Sequence, residues 1–379
     1  MALNTLPNEG LTSRGYPSDR IVTPLIINGD MSVAQRGTSV NNTDGAPYLM
    51  DRFRNQAVYG STAPTATIAI SQSTTVPTGQ GFVKSTKYDV TTAQSSLTTD
   101  TGYALEQRIE GQNLQMIKKG TSNAEKLTLA FWVRSNKTGT YIAELADMDN
   151  SRQCSQAYTI SSADTWEKKV LNYPADTTGA YDNDNATSLK LRIWVAAGAT
   201  YTSGTLATTW AATSSGNSAV GQVNLVDSTS NEWYITGIQL EVGEFDSTSI
   251  PSFPFESFAN NLSKCQRYYY MHMSGNGKNI CSGNYYDSGT FYGSVFFPVP
   301  MRASPTIEMV SGTDYYRLAT ANSSNNGLLD DFNVGFIAYA GDGISIGLGV
   351  NSNLSGVGGH GATMSGNNSS AELAFGSEL

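Results

Sequence analysis

The chain has 379 residues, a formal net charge of −9 and only 15% charged residues, against about 25% in typical globular proteins. This length predicts two or three domains, and the acidic balance excludes a nucleic-acid partner, which needs clustered Lys and Arg. No stretch approaches the ~18 apolar residues of a membrane span, so membrane insertion is excluded as well.

Residues 1–24 are polar and broken by Pro7, Gly10, Gly15, Pro17 and Pro24. They read as an extended arm, either a disordered terminus or a segment that orders on a partner. No apolar core of a secretion signal occurs there. Three cysteines, Cys154, Cys265 and Cys281, stand far apart with no CxxC. They predict buried free thiols in a protein made in a reducing cytoplasm.

From Leu25 to Asp246 the chain runs through short apolar segments separated by Gly, Asn, Asp and Ser. These include "ATIAIS" (66–71), "YALEQRIEG" (103–111), "LTLAFWVRS" (127–135), "GTYIAELAD" (139–147), "WEKKVLNY" (166–173), "LKLRIWVAAG" (189–198) and "EWYITGIQLEV" (232–242). Leu127, Leu129, Phe131 and Val133 share one face, as do Leu189, Leu191, Ile193 and Val195. Half-buried alternation of this kind, strand after strand, predicts an all-β fold with a jelly-roll sandwich over 25–246.

Residues 247–270 form a Pro-rich linker and a short helix. Phe255, Phe258, Leu262, Cys265 and Tyr269 recur at heptad spacing over two heptads. The stripe reads either as one amphipathic helix packed on a domain or as a neck where copies of the chain meet on an axis. Tyr269 belongs to the stripe, with Tyr268 and Tyr270 flanking it. Residues 271–379 return to strand-like patterns rich in Gly, Tyr and Asn, which predicts a smaller C-terminal β domain.

Chemistry-bearing constellations are sparse. His272 and His360 are the only histidines. They have no Cys/His spacing for zinc and read as surface or packed residues. The glycine runs "GDGISIG" (341–347) and "GVGGHG" (356–361) lack the lysine and helix of a phosphate loop and read as tight turns. "ADMDNS" (146–151) and "YDNDNATS" (181–188) alternate acidic and amide groups, either as ligands for a structural calcium or as solvated turns. Trp210, in a Thr/Ser-rich stretch, is a candidate glycan contact or a loop-packing residue. Tyr285, Tyr286, Tyr315 and Tyr316, set among Ser, Gly and Asn, are candidate glycan contacts on an adaptable surface. No catalytic residue or cofactor site is assigned.

"INGDMSVAQRGTS", "DRF" (51–53), "YALEQRIEG", "LTLAFWVRS", "ADTWEKKV" and "ITGIQLEVGEFDSTSIPSFPFESFANNLSKCQRYY" together resemble tail-fibre proteins of tailed phages and prophages. In that family a carbohydrate-binding-module-like jelly roll leads into a "CQRYY" junction. "FPVPMRASPTI" resembles the strand pair after it. The resemblance spans roughly residues 26–310. It implies a virion appendage, assembled in the host cytoplasm, often trimeric and without catalysis. Residues 1–24 would dock to other virion proteins, and a tip would touch a host-surface glycan. The long shaft of such fibres is lacking. A head-decoration fibre and a polysaccharide depolymerase are the alternative readings.

Overall fold

The computed structural model describes residues 24–42, 45–60, 62–321, 327–331, 345–350 and 354–379. The predicted arm, apart from Pro24, lies outside the described residues. The chain is nearly all β, with strands numbered here along the sequence.

Two six-stranded sheets form a sandwich. The first holds, in spatial order, β1 (Ser39–Asn42), β3 (Thr67–Ser73), β4 (Ser85–Thr92), β12 (Glu232–Val242), β6 (Leu127–Ser135) and β9 (Glu167–Tyr173). The second holds β11 (Ala211–Ala212), β8 (Arg152–Ile160), β7 (Gly139–Asp147), β10 (Thr187–Ala197), β5 (Gly102–Glu110) and β2 (Arg54–Val58). Neighbouring strands run antiparallel. The alternating residues named above all point into one core: Leu127, Leu129, Phe131 and Val133 from the first sheet, Leu189, Leu191, Ile193 and Val195 from the second. Each buried side chain of this size stabilises the fold by roughly 1.5–3 kcal/mol.

The C-terminal part has its own core, built from Met273 to Phe375. A three-stranded sheet, β13 (Tyr269–Ser274), β21 (Glu372–Gly376) and β16 (Thr306–Met309), packs with a second sheet. That sheet runs β18 (Gly327–Leu329), β17 (Tyr316–Thr320), β20 (Gly361–Gly366), β14 (Asn279–Tyr285), β15 (Phe291–Phe296) and β19 (Ser345–Val350).

A four-residue helix, α1 (Ala199–Thr202), covers part of the second sheet. The longer α2 (Phe258–Gln266) joins the two halves. The Ser257 side chain caps α2 by accepting from the Asn260 N–H at 3.2 Å. The predicted heptad stripe is corrected here. Phe255 precedes the cap and Tyr269 lies in β13, so the five residues do not share one helical face. The face that α2 buries carries Asn261 and Cys265, while Phe258 is 59% exposed. Asn261 donates to Asp30 Oδ1 at 3.1 Å and Ser32 Oγ at 3.0 Å, so α2 docks on the first loop of its own sandwich. A polar residue at the centre of the contact is invisible to a hydrophobic count.

The three tyrosines bind the halves together. The Arg52 guanidinium lies 3.5 Å from the centre of the Tyr268 ring, and the Arg36 guanidinium 3.4 Å from that of Tyr269. Both arginines also pair with Glu378 at the far end of the C-terminal part. Tyr270 turns the other way and packs with Phe297 and Phe375 of the second core. All three cysteines are buried and free.

Candidate functional site

Strand alternation that sends Leu129, Phe131 and Val133 inward sends Ala130 and Trp132 to the outer face of the first sheet. Lys168 of β9 stands directly opposite Trp132 in the ladder. On the other side β12 carries a bulge between Thr236 and Gln239. Gly237 sits in the bulge with φ +65°, and a Cβ there would lie 2.5 Å from the Phe82 ring. Only glycine meets both the left-handed backbone and the close approach.

Phe82 enters the space left by Gly237 and meets two rings from the Pro-bounded linker. Phe82–Phe253, Phe82–Phe255 and Phe253–Phe255 centroids are 5.1, 5.0 and 4.9 Å apart, in tilted or edge-on arrangements that aromatic rings favour. A cavity of about 270 Å³ opens between this cluster and Trp132. Gln80, Gln239 and Lys168 are among the polar residues that line it. Gln239 is buried and oriented by donating to the Pro251 carbonyl at 2.9 Å. Phe255 remains 51% exposed at the rim. An apolar wall with a few convergent amide and ammonium groups is the general pattern of a small-ligand pocket. A pyranose presents a C–H face to such rings and hydroxyls to such amides.

The predicted glycan residues take other places. Tyr285 and Tyr316 are wholly buried in the C-terminal core, so neither ring has a face for a sugar, and the expectation is corrected there. The Tyr316 hydroxyl lies 2.7 Å from the carbonyls of Val310 and of Glu372 and has its one proton to donate between them. Tyr315 is half-buried against the same core. Trp210 is half-buried, packs on the sandwich core and donates from Nε1 to the Pro174 carbonyl at 2.8 Å, which makes it a loop-packing residue. Tyr286 alone of the set presents an open ring, 71% exposed and edge-on to Tyr292. His272 is packed, with its ring nitrogens 3.1 Å from the Tyr270 hydroxyl and 2.7 Å from the Ile280 carbonyl. The pocket residues Phe82, Trp132, Gly237 and Phe255 come from four separate segments, and no motif links them. The one local signal was Trp132 facing out of a strand whose neighbours face in.

The two acidic segments do meet: Asp149 Oδ2 accepts from the Asp182 N–H at 2.9 Å, and Asn150 donates to the Ala180 carbonyl at 2.8 Å. The positive charge beside them is a side chain. Lys119, 2% exposed, lies 2.6 Å from Asp147 and 3.1 Å from Asp176. It donates to the carbonyls of Thr178 at 2.7 Å and Gly179 at 2.8 Å. Burial alone would raise the Asp176 carboxyl, but Arg152 and Lys119 outweigh it and hold it below the usual range.

Two carboxylates also meet on the second sheet. Glu106 and Glu144 share Arg192, at 2.9 and 3.3 Å. Burial would raise Glu106, yet Arg192, Lys190 and Arg108 keep it below its ordinary value. A glycosidase general acid needs a raised carboxyl, the opposite setting.

No protein-family profile and no curated protein matches the chain. Solved structures are similar at low identity. One is the enzymatically active domain of bacteriophage CBA120 tailspike protein 4, at 14% identity and TM-score 0.29 over 55% of this chain. The match spans 22% of that tailspike chain. Another is a putative sugar binding protein from Bacteroides thetaiotaomicron, at 12% identity and TM-score 0.30, over 58% of this chain and 100% of that one. A third is the family 11 carbohydrate-binding module of a Clostridium thermocellum cellulosomal cellulase, at 11% identity and TM-score 0.26, over 54% and 98%. Likenesses at these scores carry no argument about ligand or activity.

Proposed function

We propose that the protein is a non-catalytic, tail-fibre-like subunit of a phage particle that reads a host-surface glycan through the pocket between Trp132 and the Phe82–Phe253–Phe255 cluster. The observation that carries the glycan reading is the pocket itself: aromatic rings, the bonded Gln239 amide and the Lys168 ammonium line one cavity on the outer sheet face. The virion setting rests on the resemblance of residues 26–310 to phage fibre proteins. In this reading residues 1–24 dock to the particle and the subunit works as a trimer.

The test is binding of the full chain to polysaccharide extracted from host cells, compared with Trp132→Ala and Phe255→Ala. An aromatic anchor of this kind contributes about 2 kcal/mol, so each variant is expected to bind roughly 30-fold more weakly. Unchanged binding in both variants would overturn the assignment of the pocket.

A further inference from the structure

The opposite face of the sandwich carries a different chemistry. Along one cross-strand row of the second sheet, Arg54 on β2, Glu106 on β5, Arg192 on β10 and Glu144 on β7 stand in register. In the adjacent row Arg108 of β5 faces Lys190 of β10. Two like charges placed directly opposite destabilise a sheet, so their retention calls for a partner. Glu106 is fully buried and lies beside all four cations, and its closest bonds go to two of them. One oxygen accepts from Arg108 Nε at 2.8 Å, the other from Arg192 at 2.9 Å. Arg54 and Lys190 reach it only at 3.7 and 3.9 Å, beyond hydrogen-bond distance. Four cations share two carboxylates in this cluster, on a chain whose net charge is −9.

Lys190 is mostly buried, its side chain 13% exposed, and its ammonium donates no hydrogen bond to any described residue. Burial pushes it below the ordinary lysine value, Arg192 and Arg108 push the same way, and Glu106 and Glu144 oppose them. Such a group gains most from an added acceptor. Arg54 has 27% of its side chain exposed and turns Nη1 to within 3.7 Å of Glu106. Arg108 is steadied by donating to the main-chain oxygen of Leu379 at 2.8 Å, so the least compensated cations of the cluster are Lys190 and Arg54. β2 and β10 flank β5, so Arg54 and Lys190 start about 10 Å apart across the sheet.

We propose that this face is a second binding site, distinct from the Trp132 pocket, that takes the carboxylate of an acidic sugar between Lys190, Arg108 and Arg54. A sparsely charged saccharide suits the site better than a polyanion, which the acidic chain would repel.

The experiment is titration of the intact protein with galacturonate, glucuronate and N-acetylneuraminate, with galactose, glucose and inorganic phosphate as comparison probes, followed by the ζ-resonance of Lys190 and by calorimetry. The expected result is saturable binding of at least one acid sugar that shifts the Lys190 resonance, no shift of that resonance with its neutral counterpart, and a tenfold or greater loss of acid-sugar affinity in Lys190→Met and in Arg54→Gln. Arg192 and Arg108 keep their bonds to Glu106 in both variants, and thermal melts of each variant check that it folds before binding is compared. Trp132→Ala is expected to leave acid-sugar binding unchanged, which separates this site from the pocket. Phosphate binding without acid-sugar binding, an equal shift of the Lys190 resonance with neutral sugars, or no response of Lys190 to any of the acid sugars would each overturn the proposal.

Discussion

The Tyr268 hydroxyl donates to Glu110, a residue 158 positions earlier, and thereby ties the first strand region after the helix to the end of β5. Arg267 grips the same carboxylate with two bonds, at 3.0 and 2.9 Å. One buried carboxylate therefore receives both halves of an Arg–Tyr dipeptide. Its pairing with the arginine and the phenol outweighs its burial and holds it below the ordinary glutamate value.

Glu110→Ala is expected to leave Arg267 and Tyr268 without their acceptor at the seam between the two cores. Removing one partner of a buried pair costs about 3–5 kcal/mol, the upper part of which applies to fully buried charges; Arg267 is partly exposed, so a loss near 3 kcal/mol is expected. Urea unfolding reads the size. Limited proteolysis reads the location, since a loosened seam exposes the linker at 247–257. A loss below about 0.5 kcal/mol would show that the seam is held elsewhere.

Lys119→Ala empties the centre of an oxygen cage. Asp147 and Asp176 then face each other with two carbonyls, and Arg152 on Asp176 is the one counter-charge left among the described residues. A loss of about 3–5 kcal/mol is expected. Oxygen donors of this kind suit calcium, so millimolar calcium is expected to raise the melting temperature of the variant and to leave the parent unchanged. Equal calcium responses in both proteins would contradict this account of the lysine.

Asp51 and the paired carboxylates respond to pH in opposite directions. Burial raises Asp51 to about 6, against the bonds it accepts from Gln35. A carboxyl raised on folding contributes stability that is present below its unfolded value and is lost as pH rises through about 6. Glu106, Glu110 and Asp176 are lowered on folding, so their contribution is present at neutral pH and is lost as pH falls below the ordinary carboxylate range. Between pH 7 and 5, Asp51 is thus the group that makes acidification stabilising, by up to about 1.4 kcal/mol per pH unit. Asp51→Asn is expected to remove the rise over that window and leave the opposite slope of His272, which burial lowers, while acid unfolding below about pH 4.5 stays in place. An unchanged slope would show that Asp51 does not titrate there.

Gly237→Ala meets a left-handed backbone and the Phe82 ring together. A destabilisation of about 1–3 kcal/mol is expected from the backbone conformation and the overlap. Because Phe82 must shift, the variant is also expected to lose glycan binding beyond what its stability loss explains. Retained binding in a destabilised variant would separate the bulge from the pocket.

Several of these features were legible in the residues and several were not. Alternation in "LTLAFWVRS" and "LKLRIWVAAG" identified β6 and β10 and the side each turns to the core, because a pleated strand has only two faces. Pro251 and Pro254 marked the end of the sandwich, because proline cannot continue a central strand. Scattered cysteines meant buried thiols, and the C-terminal Tyr-rich segments meant more strands. What alternation left open is which residues from distant strands share the outer face. Trp132, Phe82 and Phe255 meet only because a bulge at Gly237 and a proline-bounded return bring three segments to one spot. Tyr285 and Tyr316 were indistinguishable in the sequence from exposed tyrosines, since a phenol serves equally in a core, where its hydroxyl finds a carbonyl, and on a surface. The helix contact through Asn261, the ammonium between Asp147 and Asp176, and the grip of Glu110 on Arg267 and Tyr268 are polar and long-range. Periodicity reports burial of apolar groups along a strand or helix. Which buried charge finds which partner is decided by tertiary packing, because that partner stands dozens to hundreds of residues away.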